Sequence, residues 1–474
     1  MIDGLKPYAE YKESGLPWLD AVPEHWEMVP NRALMTDQRQ VVGENAADYM
    51  LLSLTLRGII PRNMENPKGK FPAQFNTYKV VRPDDIVFCL FDIDETPRGV
   101  GLSNLKGMIT GAYDVFSPRR GINPGFLSHY YLFVDEGKLM KPLYTGLRKT
   151  IQRGVFASLK APCPPSEEQA AIVRFLDHAN RKIDRFIRAK RKLIELLGEQ
   201  KQAIIQRAVT RGLNPNVTLK ASGIPWLGEI PEHWEVRKLK QCVTAIEQGW
   251  SPQCDANRAS ESEWGVLKVG CVNKDSFAPE QNKKLPKNLM PDPSLEILDG
   301  DILVSRANTR ELLGLAAIAE MPRPKLILCD KLFRFRVRPQ FFNSKFLVSA
   351  LRSKPSRVQI ESSTNGASSS MQNIGQGVLK KLWVSIPTIA EQERIVDYIA
   401  SECEPLSTAV TRTELEIALI QEYRTRLTAD IVTGKLDVRE AAAKLPDLPT
   451  DTDCSSDAKT QDEELFEEPE SGEE

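Results

Sequence analysis

Three stretches in one half of this chain hold side chains that could grip and read a polyanion. Ser305-Arg306-Ala307-Asn308-Thr309-Arg310 alternates guanidinium and amide groups, and Asn273-Lys274 and Ser362-Ser363-Thr364-Asn365-Gly366 add further polar side chains. A guanidinium can bond both guanine O6 and N7, and a carboxamide can bond adenine N6 and N7. In the first half of the chain the corresponding candidates are Arg57, Arg62, Asn63, Arg98, Lys149, Gln152 and Arg153. Taken singly, each is more simply a solvated surface group. The clusters, not their members, point to nucleic acid.

Other chemistries find little support. Pro83-Asp84 with Glu136-Gly137-Lys138 has the residue types of a carboxylate pair that holds Mg²⁺ beside a lysine. Asp135-Glu136-Gly137-Lys138 lies between apolar runs, however, and reads better as a hairpin turn. Gly99-Val100-Gly101 lacks the third glycine of a dinucleotide site, and no G-x-x-x-x-G-K-[ST] phosphate loop occurs. Neither an Asn-Pro-Pro-Tyr-like nor an Asp-Pro-Pro-Tyr-like adenine-methyltransferase motif is present. His25 and His233 each stand beside a tryptophan with no second metal-type ligand nearby, so they read as scaffold.

Those side chains sit on an ordinary globular composition, 41% hydrophobic and 27% charged over 474 residues, long enough for several domains. The eight cysteines form no Cys-x-x-Cys pair, which suits reduced thiols in a cytoplasm and argues against a disulfide framework or zinc. No apolar run approaches the ~18 residues that span a bilayer, and Met1 to Lys6 lacks the pattern of a signal peptide. The net charge of −1 conceals a division. Residues 440–474 hold thirteen acidic groups against two lysines, so the rest of the chain carries about +10. A basic body with an acidic, aromatic-poor and disordered tail fits a polyanion-binding protein.

The elements that must position these residues come as a repeat. Ser14-Gly15-Leu16-Pro17-Trp18-Leu19 and Pro23-Glu24-His25-Trp26-Glu27 return 208 residues later as Ser222-Gly223-Ile224-Pro225-Trp226-Leu227 and Pro231-Glu232-His233-Trp234-Glu235. A second pair begins at Pro164 and Pro387, each followed by a Glu-Gln dipeptide ending at Gln169 or Gln392, at an offset of 223. After these prolines, Ile172, Leu176, Ile183, Ile187, Ile194, Leu197, Ile204 and Ala208 form an apolar row. Ile395, Ile399, Leu406, Val410, Ile417, Ile420, Leu427 and Ile431 match it position by position. Steps of three, four and seven predict two long helices with a coiled-coil seam. Acidic residues at their starts and Gly212 and Gly434 at their ends fit helix termini. Some 44 residues would make rods of roughly 65 Å. Pro405 should kink or interrupt the second.

The stretches between are basic, with 18 Lys/Arg against 12 Asp/Glu in residues 28–160 and 23 against 14 in residues 236–381. Short β-type runs follow turn residues at Asp85-Ile86-Val87-Phe88 and Asp301-Ile302-Leu303-Val304. Tyr130-Tyr131-Leu132-Phe133-Val134 and Leu332-Phe333-Arg334-Phe335-Arg336-Val337 read as strands too. Similar flanks around dissimilar middles suggest two readers of different targets on one frame.

In this order, the doubled Pro-Trp-Leu…Pro-Glu-His-Trp-Glu opening, the doubled Pro-x-x-x-Glu-Gln helix start and the Ile431-to-Leu436 ending Ile-Val-Thr-Gly-Lys-Leu resemble the specificity (HsdS) subunits of Type I restriction-modification systems, from about residue 10 to 438. The resemblance implies an α+β fold with a pseudo-two-fold internal repeat: two mixed target-recognition domains, each followed by a long helix, the helices forming an antiparallel coiled coil. Its parts would be an opening segment 1–27, recognition domain 28–160, spacer helix 166–211, second opening segment 214–235, recognition domain 236–381, spacer helix 389–434 and acidic tail 440–474. It implies a cytoplasmic, non-catalytic reader of a bipartite asymmetric site on double-stranded DNA. Two methyltransferase (HsdM) subunits would dock on it, and restriction (HsdR) motor-nuclease subunits would join through the complex. S-adenosylmethionine, ATP and Mg²⁺ would serve those partners, with no cofactor bound here. The first copy departs from the pattern with Thr210-Arg211-Gly212-Leu213 in place of Thr-Gly-Lys. The rival expectation is a stand-alone DNA-modifying or DNA-cleaving enzyme with duplicated domains; a coiled-coil scaffold without DNA preference is a third.

Overall fold

A computed structural model of the chain describes residues 5–62, 75–146, 149–254, 257–273, 276–363 and 372–446. It divides into two units, residues 1–190 with 416–474, and residues 191–415. The divisions fall inside the two long helices, Ser166–Arg211 and Ile389–Val432.

In the first unit, an antiparallel hairpin of Tyr11–Leu16 with Leu19–Pro23 leads to strand Glu27–Pro30, which pairs with Lys160–Cys163. Between those paired strands lies a four-stranded antiparallel sheet ordered Met35–Gln38, Asp114–Pro118, Ile86–Phe88, Val100–Leu102. Its strands are short and rich in Ile, Val and Phe, and Ile86, Val87 and Phe88 are all buried, so the central strand is covered on both faces. Phe88 packs edge-on against Phe116 and Tyr131.

Tyr131 corrects the sequence reading. Residues Tyr130–Val134, expected as a strand, lie within a helix, Pro124–Glu136. The Asn123 side chain accepts hydrogen bonds from the Gly125 and Phe126 amides, and Pro124 occupies the first turn, where its missing N–H costs nothing. Phe126, Leu127, Tyr130, Tyr131 and Val134 form the buried face, a helical spacing that overrides the β-propensity of the aromatic run. Asp135-Glu136-Gly137-Lys138 is therefore the end of that helix and not a hairpin, with the Gly137 amide bonded to Phe133 O at 3.1 Å.

The second unit opens with the pair Leu219–Ala221 and Glu229–Pro231, then strand Glu235–Lys238 paired with Trp383–Ile386. A four-stranded antiparallel sheet runs Glu247–Gln248, Leu332–Phe335, Ile302–Ser305, Ala316–Ile318. A three-stranded sheet of Asn282–Lys284, Gly265–Leu267 and Leu326–Ile327 adds to it. Arg334 lies on a strand whose four residues are all buried, so the apolar-basic alternation does not mark a solvated face. Its guanidinium bonds Glu296 O at 2.7 Å, Ser294 O at 2.8 Å and the Glu247 carboxylate.

Both Asp-Ile strand starts use one device. Asp85 accepts from the Arg82 amide and Asp301 from the Leu298 amide, each three residues back. The tight turn before them needs a left-handed residue, supplied by Asp84 (φ 70°) in one unit and Gly300 (φ 81°) in the other.

All eight residues of each apolar row are buried or half-buried along the long helices. In the first unit, Asp184 pairs with Arg424 at 3.0 Å and Lys190 with Glu416 at 2.7 Å. Helix Ile389–Val432 continues through Pro405, so of the kink or interruption expected there the interruption does not occur. Pro405 and Ser401 are both exposed, so the carbonyl left without its helical partner faces water. Gly212 (φ 71°) and Gly434 (φ 77°) end the helices in the left-handed conformation expected of them. Among the described residues no helix is long and apolar enough to cross a membrane.

Candidate nucleic-acid interface

Any reader of DNA must be held rigidly, and the repeated motifs do that holding. In the first unit the Glu168 carboxylate, only 3% exposed, takes Trp26 Nε1 at 2.9 Å, His25 Nε2 at 2.8 Å and the Tyr8 hydroxyl at 2.5 Å. Burial and the neighbouring Glu168 push the Tyr8 phenol far above its ordinary pKa, so it stays a donor. In the second unit Glu391 takes His233 Nε2 at 2.9 Å and Trp234 Nε1 at 3.1 Å. The glutamine beside each glutamate links the long helix to the middle segment. Gln169 accepts from the Asn123 amide and donates to Pro164 O, while Gln392 accepts from the Asn343 amide and donates to Pro387 O. Both histidines are thus scaffold, and no metal-holding group of three His, Cys, Asp or Glu occurs among the described residues.

On this frame the first unit presents all its described candidates but Arg98 on two elements. Arg57 is exposed at the tip of the hairpin Leu52–Thr55 with Gly58–Pro61, its amide bonded to Thr55 Oγ1. Arg62 follows the same hairpin and is half-buried; Asn63 lies outside the described residues. Lys149, Gln152 and Arg153 share one loop and the start of helix Arg153–Ser158. Lys149 pairs with Asp94 at 3.1 Å and Glu95 at 2.8 Å, and these carboxylates raise its pKa. Arg153 reaches Asp114 at 2.5 Å, a carboxylate shared with buried Lys79. Both cations already have partners. Arg98 is half-buried and offsets the upward push that burial gives the Glu136 carboxyl.

The second unit gathers its candidates more closely. Arg306 precedes and Asn308 ends a short strand, Ala307–Asn308, paired with Gln372–Asn373. Asn308 Nδ2 donates to Asn273 Oδ1 at 3.1 Å, which joins two loops distant in sequence. Arg306 Nη1 donates to Asp330 O at 3.3 Å. Arg310 is exposed, with Glu361 3.8 Å away. Lys274, Thr364 and Asn365 lie outside the described residues. Counting charges missed the carboxylates that occupy these cations, because pairing across long sequence separations leaves no local signal. It also passed over Gln248, Ser251 and Asp330 beside Arg306. A glutamine and a serine on either side of a Gly-Trp pair look like any turn.

The nuclease-type pattern does not assemble into a working site. Lys138 Nζ is held by Asp135 at 2.9 Å and by Thr96 O, and Asp84 serves as a turn residue. The stand-alone enzyme is not favoured.

No family model matches the chain. Curated relatives do. The chain is 28% identical over 209 residues to the EcoEI Type I restriction enzyme specificity subunit of Escherichia coli, covering 44% of this chain and 35% of that protein. It is 24% identical over 452 residues to the MjaVIII Type I specificity subunit of Methanocaldococcus jannaschii, covering 90% of this chain and 97% of that one. The chain is thus similar to Type I restriction enzyme specificity subunits. A solved chain from work on complex assembly and conformational transition of the type I R-M system shares the fold of this chain. Its TM-score is 0.60 at 15% identity, over 88% of this chain and 99% of the other. The match spans about a third of the E. coli specificity subunit and nearly all of the archaeal one.

Proposed function

We propose that this chain is a specificity subunit that reads DNA for a Type I restriction-modification complex and catalyses nothing by itself. The observation that carries the reading is the likeness to the archaeal specificity subunit along 90% of the chain and 97% of that protein. The middles, 28–160 and 236–381, act as target-recognition domains for the halves of a bipartite site on double-stranded DNA. The site is asymmetric because the middles differ in sequence, and their net charges of about +6 and +9 supply the salt-dependent attraction to phosphate. Arg57, Arg62, Asn63, Arg98, Lys149, Gln152 and Arg153 serve one half, and Asn273, Lys274, Arg306, Asn308, Arg310, Thr364 and Asn365 the other.

The long helices pair as an antiparallel coiled coil that spaces the halves, making a pseudo-two-fold repeat of the whole chain. The Asp184–Arg424 and Lys190–Glu416 pairs support that direction of pairing. Two methyltransferase subunits dock on this frame, and restriction motor-nuclease subunits join through the complex, in the cytoplasm. S-adenosylmethionine, ATP and Mg²⁺ are the partners' requirements. The test is a genome-wide map of methylated adenines in cells carrying the methyltransferase subunit, with and without this chain. A split asymmetric motif that vanishes with the chain is the expected result; an unchanged map, or a continuous palindromic motif, overturns the reading.

A further inference from the structure

One end of the second unit's four-stranded sheet gathers groups that its charge pattern did not reveal. Gln248 sits opposite Phe333, and Leu332 opposite Ser305, so the ends of strands Glu247–Gln248 and Ile302–Ser305 and the start of Leu332–Phe335 lie at one edge. From that edge run the loop 249–251, the stretch 306–310 and the approach 329–331. Asp330 ties them together. Its carbonyl accepts from Gln248 Nε2 and from Arg306 Nη1, each at 3.3 Å. Its carboxylate takes the Ser251 hydroxyl, and its amide donates back to Ser251 Oγ at 3.1 Å. The Trp250 amide bonds Leu328 O at 3.0 Å. Gly249 allows this approach, because a Cβ there would collide with the Leu328 carbonyl.

The result is a locked loop that holds Trp250, 37% exposed, among polar groups at the sheet edge. A lone exposed tryptophan needs no explanation on a surface. One fixed by its own amide bond to Leu328 O and by the Ser251 side chain next to it, beside a carboxamide and a guanidinium, has the composition of a base-reading site. Gln248 offers the acceptor and donor that match adenine N6 and N7, and an indole offers a rigid apolar face to a base or a thymine methyl. Locking the loop in advance removes part of the ordering cost of binding.

We propose that Gln248 and Trp250 determine specificity in the half-site taken by the second unit, with Arg306 and Asn308 beside them. This rests on the DNA-reading function proposed above. The test uses the chain reconstituted with its methyltransferase subunits and a DNA library randomised across both half-sites. Gln248→Ala, Trp250→Ala and Trp250→Phe are compared with wild type by sequencing the bound fraction. Failure of the wild-type complex to enrich any split motif would remove the DNA-reading function itself. Given a wild-type motif, the expected result is a loss of preference, roughly tenfold or more, at one or two positions of a single half-site. The other half-site stays unchanged, and Trp250→Phe keeps most of the preference that Trp250→Ala loses. Weaker binding to all sequences with the preference intact would make these residues structural and overturn the proposal, as would an unaltered motif at unaltered affinity.

Discussion

Trp26 donates its indole N–H to Glu168 across 142 residues of sequence, and through that bond the two motifs repeated in this chain meet. Trp26 and Glu168 are both buried, and Glu168 also takes His25 and Tyr8. Glu168→Ala should therefore cost the first unit about 2–4 kcal/mol, because two buried donors, Tyr8 and Trp26, and the exposed His25 lose their acceptor at once. Glu391→Ala should cost about 1 kcal/mol, since Glu391 is more exposed and takes two donors. Urea unfolding of the two variants would measure this; equal losses would contradict the difference in burial.

The helix-ending glycines should differ in tolerance. A Cβ at Gly434 would run into the rigid ring of Pro23, with Trp26 at 3.2 Å, whereas at Gly212 the nearest atom is Glu391 Oε1 at 3.1 Å, the movable end of a side chain. Both substitutions carry the left-handed backbone penalty of about 1 kcal/mol. Gly434→Ala should add about 1–3 kcal/mol of overpacking to that, and Gly212→Ala little. Paired thermal melts would read the contrast.

Asp84→Gly separates a turn residue from a catalytic carboxylate. The residue has φ 70°, where the other unit uses Gly300. The substitution should change stability by no more than about 1 kcal/mol and leave the methylation motif intact. Loss of a nuclease activity from the purified chain would instead revive the enzyme reading.

Burial pushes the Asp85 carboxyl above its ordinary value, against the hydrogen bonds from Ser117 and the Arg82 amide. The folded chain then keeps a proton that the unfolded chain releases near pH 4. Stability from this group is fully present below that pH and declines as pH rises through the folded pKa. Asp85→Asn should abolish this component of the pH profile, measured as the wild-type-minus-variant difference in unfolding free energy from pH 3 upward.

Arg57 and Lys149 should contribute unequally to DNA binding. Arg57→Ala removes an exposed cation from a hairpin tip; it should weaken binding to all sequences and lower the slope of log K against log salt by about one. Lys149 already faces Asp94 and Glu95, so Lys149→Ala should change the slope less. Salt titrations of the assembled complex would decide.

Much of the frame was legible in the sequence. The long helices came from two apolar rows that agree position by position, and such a pattern survives any tertiary context. The strand starts at Asp85 and Asp301 were legible because a local turn fixes them. Tyr130–Val134 was misread because five β-favouring residues say nothing of the Asn123 cap or of the faces that bury them. An interruption at Pro405 was not decidable from sequence, because its cost depends on whether the orphaned carbonyl meets water or protein. The candidate site was legible as composition and not as arrangement. No local pattern announces that Asn308 meets Asn273, or that Asp330 collects Gln248, Arg306 and Ser251.

Each middle segment leaves and rejoins its frame through one pair of adjacent strands, Glu27–Pro30 with Lys160–Cys163 and Glu235–Lys238 with Trp383–Ile386. The peptide on both sides of that doorway is fixed by backbone bonds that do not depend on side-chain identity. Whatever sequence lies between can therefore be cut out at the paired strands and replaced as a cassette, with the two ends still returning to neighbouring positions. On the DNA-reading function proposed above, exchange of such a segment would give a new target in one recombination event, without refitting the rest of the molecule.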